Sequence, residues 1–245
     1  FNLDHGIDFK TSLDGMPINQ RSHAHGQGWA DLNPLIPELI SSVHYRKGPY
    51  YAADGDFANA GSANIYYAEK IDRGLASLGL GQNGYYRTLL ADAPKFHDGN
   101  MLYALELSHY DGPWDNPDNY KKINGLLRYS QGTQSNGFNL TAMAYSGRWN
   151  STDQIPWNEY KRGLISRWGA MDASSGAWAH RYSLSGEWRQ SDAAGSTVVQ
   201  TYIINNYLDL YSNFEYGDTS QFNQRDSRVT TGLNAYRTFN VVGLG

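Results

Sequence analysis

From about Arg73 onward, apolar and polar residues alternate with a period of two. Tyr182, Leu184, Gly186 and Trp188 fall on one face of an extended segment, and Arg181, Ser183, Ser185, Glu187 and Arg189 on the other. Met101, Tyr103, Leu105 and Leu107 alternate with Leu102, Ala104, Glu106 and Ser108 in the same way. Val229, Thr231, Leu233 and Ala235 alternate with Arg228, Thr230, Asn234 and Tyr236. Further strands are predicted over about 74–82, 85–94, 119–132, 137–149, 162–171 and 196–212, giving about nine in all. Several exceed the usual ~5–6 residues of soluble strands and match the ~9–11 residues of a tilted membrane strand.

Turn signals separate these runs. Short connections hold Gln82-Asn83-Gly84, His97-Asp98-Gly99, Ser135-Asn136-Gly137 and Ala194-Gly195, and long ones run through about 111–119, 150–161 and 213–225. Short turns at one rim and long loops at the other favour a transmembrane barrel over a Greek-key sandwich. The first 70 residues lack long alternating strands. Asp14-Gly15 predicts a hairpin turn, and Leu32–Ile40 is apolar but broken by Pro34 and Pro37, so a short helix begins at Pro37. Residues 43–65 are turn-rich, with Gly48-Pro49, Asp54-Gly55 and Gly61 between short apolar patterns. Together they predict a small α+β unit, 1–72, followed by an all-β region, 73–245.

Composition narrows the classes. Of 245 residues, 19 are Tyr and 26 Gly, a profile that suits a surface meeting both lipid and water and also a secreted carbohydrate-binding module. The net charge of −4 is too mild and too interspersed for a nucleic-acid partner. With no Cys there is no disulfide framework and no thiol chemistry. No apolar run of about 18 residues encodes a membrane helix, and the mean hydropathy of −0.61 reads as polar, but a barrel strand turns only alternate residues to lipid. No Ser/His/Asp order or paired catalytic carboxylate stands out, so no enzyme and no cofactor are expected. Gly79–Gly84 superficially matches a dinucleotide fingerprint, but no helix follows it.

Asn2-Leu3-Asp4-His5-Gly6, then Ser12-Leu13-Asp14-Gly15-Met16-Pro17-Ile18-Asn19, resembles the plug core of TonB-dependent outer-membrane receptors. Ile40–Gly48 (ISSVHYRKG), with Pro49, Ala52, Gly55 and Gly61, resembles the closing strand and loops of that plug, and the alternating strands resemble the start of its barrel. The resemblance implies an antiparallel β-barrel of about 22 strands when complete, with about nine here and the plug in its lumen. It implies that the TonB box and first plug strands would precede Phe1 and the closing strands follow Gly245. It also implies active uptake of a metal chelate, cobalamin or saccharide across the outer membrane, with TonB, the ligand and outer-membrane lipid as partners. A passive porin or adhesion barrel, or a secreted β-rich carbohydrate-binding module, is the alternative.

Within this frame a few residues have ligand-like character. His23 and His25 share a face if extended and are possible metal or chelate contacts, against a plain reading as plug-loop residues bonded to the barrel wall. Tyr50 and Tyr51 are candidates to line a ligand path. Trp114, in a loop with Asp111, Asp115 and Asp118, is a candidate for a sugar platform or calcium loop, against a plain Asx-turn loop. Arg46 and Lys47 are expected to pair with inward barrel acids such as Glu106 and Glu187. Trp149, Trp157, Trp168 and Trp188 read as interfacial belt residues.

Overall fold

The computed structural model describes residues 8–21, 28–213 and 221–240. His23 and His25, the Asn2–Gly6 run and the last five residues lie outside the described residues.

The first part forms a small four-stranded sheet. β1 (Phe9–Leu13) and β2 (Met16–Pro17) make a two-residue hairpin, and β5 (Ile40–Lys47) and β6 (Gly61–Tyr67) complete the order β2-β1-β6-β5, with β1 and β6 parallel. Asp14 and Gly15 sit at φ 48° and 78°, the two positive values a type I′ turn demands. Beside this sheet, β3 (Asn19–Gln20) pairs with β4 (Trp29–Ala30), and a 3-10 turn spans Pro37–Leu39 with Pro at its start. Gly61 has φ 144°, and a Cβ there would meet the Arg46 carbonyl oxygen at 2.2 Å. Gly61→Ala is therefore expected to cost about 1–3 kcal/mol in thermal unfolding, where an unchanged melt would show that the β5–β6 seam yields freely.

The second part is an up-and-down antiparallel meander. Its strands are β7 (Leu75–Leu80), β8 (Tyr86–Asp92), the short β9 (Lys95–Phe96), β10 (Gly99–Tyr110), β11 (Tyr120–Gly132), β12 (Gly137–Asn150), β13 (Gly176–Asp192), β14 (Gly195–Ser212) and β15 (Phe222–Phe239). Each long strand pairs with the next in sequence, from β7 across to β15, and β9 pairs only with β10. Two expectations change. Residues 162–171 form no strand: after the short helix α1 (Trp157–Lys161) the chain turns at Gly163, φ 72°, within one long loop between β12 and β13. Adjacent Leu164-Ile165 already breaks the alternation there. The Gln82-Asn83-Gly84 turn joins β7 to β8 at the same rim as the long loops, so that rim carries one short connection as well.

The alternation sorts cleanly into two faces. On β10, Leu102, Ala104 and Glu106 are buried against the small unit, while Tyr103, Leu105 and Leu107 are exposed. On β11, Asn124, Leu126, Arg128 and Ser130 are buried, while Ile123 and Leu127 are exposed. Exposed Leu140, Leu184, Ile203, Val229 and Leu233 continue the outward apolar face across β12 to β15. The inner face is mixed. Leu89, Ala91, Leu102, Ala104, Leu126, Met143 and Ile204 join Leu13, Met16, Ile36, Leu39, Ile65 and Tyr67 in one core between the two units. Burying Arg128, Glu106 and Asn124 while exposing a row of Leu and Ile inverts the order of a water-soluble protein.

Trp178 and Trp188 mark the ends of the outward stripe on β13, both exposed. Ten residues of strand span about 33 Å, which a tilt of ~40° reduces to about 25 Å, the height of a barrel's apolar band. Near Trp188, register places Phe138 opposite it, and Phe138 and Tyr129 lie 5.8 Å apart, ring centre to ring centre. Of the expected belt residues only Trp188 takes this place, and Trp178 joins it. Trp149 packs against the buried cluster of Tyr145, Ala177, Ala179 and Leu208, and Trp157 and Trp168 lie in the long loop.

Candidate functional site

The seam between the small unit and the inner face of the meander carries most of the buried charge among the described residues. Asp14 stands at the first turn position, φ 48°, a left-handed value that Asp tolerates. It meets Arg128, which is 2% exposed. The Arg128 guanidinium also donates to the Tyr67 and Ala68 carbonyl oxygens at 3.1 and 3.2 Å and, through Nε, to Thr141 Oγ1 at 2.8 Å. Five donors in a fixed fork suit this many acceptors, which a lysine cannot match. Burial pushes the Asp14 carboxyl up, and the guanidinium acts against that shift.

Toward the long-loop rim, Glu38 follows Pro37 at the 3-10 turn and accepts both Arg87 Nη groups, at 2.6 and 2.9 Å. Arg87 Nε donates to Glu106 Oε1 at 2.6 Å, and Lys122 Nζ reaches the same oxygen at 2.9 Å. Asn124 donates to the Pro34 carbonyl oxygen at 2.8 Å. A cavity of 570 Å³ opens beside this cluster, with Trp29, Asp31, Asn33, Arg87, Glu106 and Lys122 on its wall. Toward the opposite rim, Arg189 pairs with Glu69 and lies 3.3 Å from Glu187; Arg181, level with Asn124 in the register and so nearer the long loops, donates to the Pro17 carbonyl oxygen at 2.8 Å.

The polarity of this seam is the reverse of the expected one. Arg46 and Lys47 do not reach Glu106 or Glu187. Arg46 turns inside the small unit to Asp54 at 3.4 Å and lies 4.3 Å over the Tyr51 ring, while Lys47 is exposed. Glu106 and Glu187 do sit at the seam, but their cations, Arg87, Lys122 and Arg189, come from the meander itself. The small unit supplies the acids Asp14, Glu38 and Glu69. The reason is geometric: β5 is an edge strand and its Arg46 is drawn to Asp54, itself held by Ser62 at 3.0 Å.

The other candidate residues are dispersed. Tyr50 is 82% exposed, Tyr51 lies under Arg46, and neither lines the seam. Trp114 donates to Asp118 at 2.9 Å and packs 5.6 Å from Trp168, while the Asp115 amide donates to the Trp168 carbonyl oxygen. Asp111 faces His109 at 3.2 Å and Asp115 takes Ser166, so the three carboxylates of that loop do not converge. Trp114 thus staples two loops together. The alternation put Arg181 and Arg189 on the inward face beforehand. Arg128 had the weaker signal of a lone cation between Leu127 and Tyr129, and Arg87, between Tyr86 and Thr88, had less still.

Glu38 carries a pH signature. Its carboxyl is held below the usual range by the Arg87 hydrogen bonds, against a smaller opposing effect of burial. A depressed acid adds stability above its unfolded pKa of about 4.3, and this fades as pH falls through the lower folded value. Glu38→Gln should therefore melt below the parent at neutral pH, with the gap closing under about pH 4. A gap independent of pH would mean that the carboxylate's charge does not contribute.

No sequence-family profile matches the chain, and no curated protein matches it in sequence. Solved structures do match. The ferric citrate transporter FecA in its unliganded form superposes with a TM-score of 0.75 at 11% identity over 98% of this chain. The copper transporter OprC gives 0.71 at 17% over 95%, and the ferric yersiniabactin uptake receptor FyuA of Yersinia pestis 0.63 at 16% over 97%. The chain has the fold of the TonB-dependent receptors. It spans 37%, 35% and 38% of those three proteins, all of which are transporters or receptors and not enzymes.

Proposed function

We propose that this chain is part of a TonB-dependent receptor in a bacterial outer membrane, with residues 1–72 belonging to the plug and 73–245 to the barrel wall. In this reading the receptor takes up a scarce metal chelate of the siderophore class, and TonB supplies the work by pulling on the plug. The observation that carries the reading is the inverted sheet: an apolar outer face about 25 Å tall, and an inner face docked on a small unit through Arg87–Glu38, Arg128–Asp14 and Arg189–Glu69. An outer membrane holds no nucleotide fuel, so a plug seated by discrete polar contacts suits mechanical release, since water replaces each hydrogen bond as it breaks.

The exposed Leu and Ile face argues against a secreted carbohydrate-binding module, which would aggregate through it. The docked small unit favours energised uptake over a passive pore. The test is a deletion strain supplied in turn with ferric siderophores, ferric citrate and copper as sole metal source, with and without TonB. Loss of growth on one chelate in both the deletion and the TonB-less strain is expected. Uptake that persists without TonB would overturn energy coupling.

A further inference from the structure

The small unit meets the wall unevenly. Against β8, β10, β11 and β12 it packs through the shared apolar core and the Glu38–Arg87 pair. Beside β13–β15, toward the short-turn rim, the two parts stand apart around a cavity of 640 Å³. His44 and Tyr66 line it from the small unit, and Glu187, Arg189, Gln200 and Tyr236 from the wall. That volume suits a small molecule, for which pockets run to about 300–1,000 Å³. Among the described residues the Arg189 Nε is buried with no hydrogen-bond partner, which leaves one donor free.

Between this cavity and the long loops stands the tip of the β1–β2 hairpin. Asp14 lines the cavity on one side of the tip, and Ile18 lines a second pocket on the other. That second pocket measures 20 Å³, room for about one water. On β13, Ser185 beside the cavity and Arg181 beside the pocket are separated by about 13 Å of strand. Three contacts press the tip on the wall. Asp14 pairs with Arg128 on β11, Gly15 abuts Gln200 on β14, and the Pro17 carbonyl oxygen accepts from Arg181 on β13. At Gly15, φ 78°, a Cβ would meet Gln200 Oε1 at 2.7 Å, so backbone meets wall with no room for a side chain.

We infer that the 640 Å³ cavity is an exit-side transit site for an oxygen-rich metal chelate, and that the β1–β2 hairpin tip seals it from the lumen above. The free Arg189 N–H can donate a charge-assisted hydrogen bond to a carboxylate or hydroxamate oxygen. Glu69 and Glu187 share the same guanidinium, so the cargo is held only in passing. The tip is the part that yields, because its contacts are polar or bare abutments that water replaces. The apolar core against β8–β12 stays closed while it moves. β1 runs straight into the tip, so tension on that strand reaches Asp14 and Gly15 first. This inference rests on the energised uptake proposed above.

The 245 residues hold no Cys, so thiols can be placed at will in the full receptor. Asn139→Cys puts one on the cavity wall. In intact cells given ferric citrate, a ferric hydroxamate and copper together, a maleimide dye too large for porins should label it only when TonB is present. In a separate receptor, Gly15→Cys with Gln200→Cys, joined by a bismaleimide, should abolish uptake of those metals. The same reagent on Asn33→Cys with Tyr120→Cys, a pair on the anchored side, should leave uptake intact. If Gly15→Cys fails to assemble, Pro17→Cys with Arg181→Cys pins the same tip. Labelling without TonB, no labelling with it, or equal loss of uptake from both cross-links would each overturn the inference. TonB-dependent growth alongside any of these leaves energised uptake standing, whereas growth without TonB sinks that reading itself.

Discussion

Arg128→Ala is expected to destabilise the docked small unit by about 3–5 kcal/mol, the cost of leaving a buried charge without its partner. Arg128 is 2% exposed and serves Asp14, the Tyr67 and Ala68 carbonyl oxygens and Thr141 at once. Its removal leaves the Asp14 carboxylate and the two carbonyl groups without their shared donor. Thermal unfolding in detergent reads the loss directly. Limited proteolysis at Lys10 and Lys47 reads whether the small unit has come away from the wall. Asp14→Asn combined with Arg128→Gln should recover much of the loss, because a neutral amide pair leaves no charge uncompensated. Arg225→Ala serves as the contrast: its partner Asp209 also holds Asn223, and the pair lies on the outward face. If the two alanine variants melt alike, or if Arg128→Ala leaves the small unit protected, the seam is not held through this arginine.

The role of Arg128 is set by tertiary geometry and not by local pattern. Strand alternation specifies which face a residue takes, and it placed Arg181, Ser183, Ser185, Glu187 and Arg189 on one side correctly. The Asp14-Gly15 turn and the start at Pro37 were legible for a similar reason, since each depends on backbone chemistry within a few residues. The partner of an inward arginine does not. Asp14 and Arg128 are separated by 114 positions, and Glu69 and Arg189 by 120. Their meeting depends on how far the small unit is rotated against the sheet, which no local pattern encodes. Arg46 illustrates the converse. Glu38 and Asp54 are equally near it in sequence, and the loop before Gly61 folds back to deliver Asp54. Residues 162–171 form no strand because adjacent Leu164 and Ile165 break the period of two.

Leu184→Arg is expected to block assembly into the outer membrane. Leu184 lies near the middle of the outward stripe that Trp178 and Trp188 bound, and its register partners Ala142 and Ile203 are apolar too. A cation at mid-depth on the lipid face costs about 2–4 kcal/mol, and this falls to about 0–1 kcal/mol near the interface. Gln190→Arg, on the same face two residues past Trp188, is therefore expected to assemble like the parent. Heat-modifiable mobility in outer-membrane fractions measures both. Ser185→Arg adds a third comparison, since Ser185 points to the inner face and is 8% exposed. It tests packing against the small unit, and a defect there should appear in docking and not in membrane insertion. If the second part were instead a water-soluble sheet, Leu184→Arg would raise solubility and leave folding intact. The sign of the effect at this one position separates a wall facing lipid from a sheet facing water.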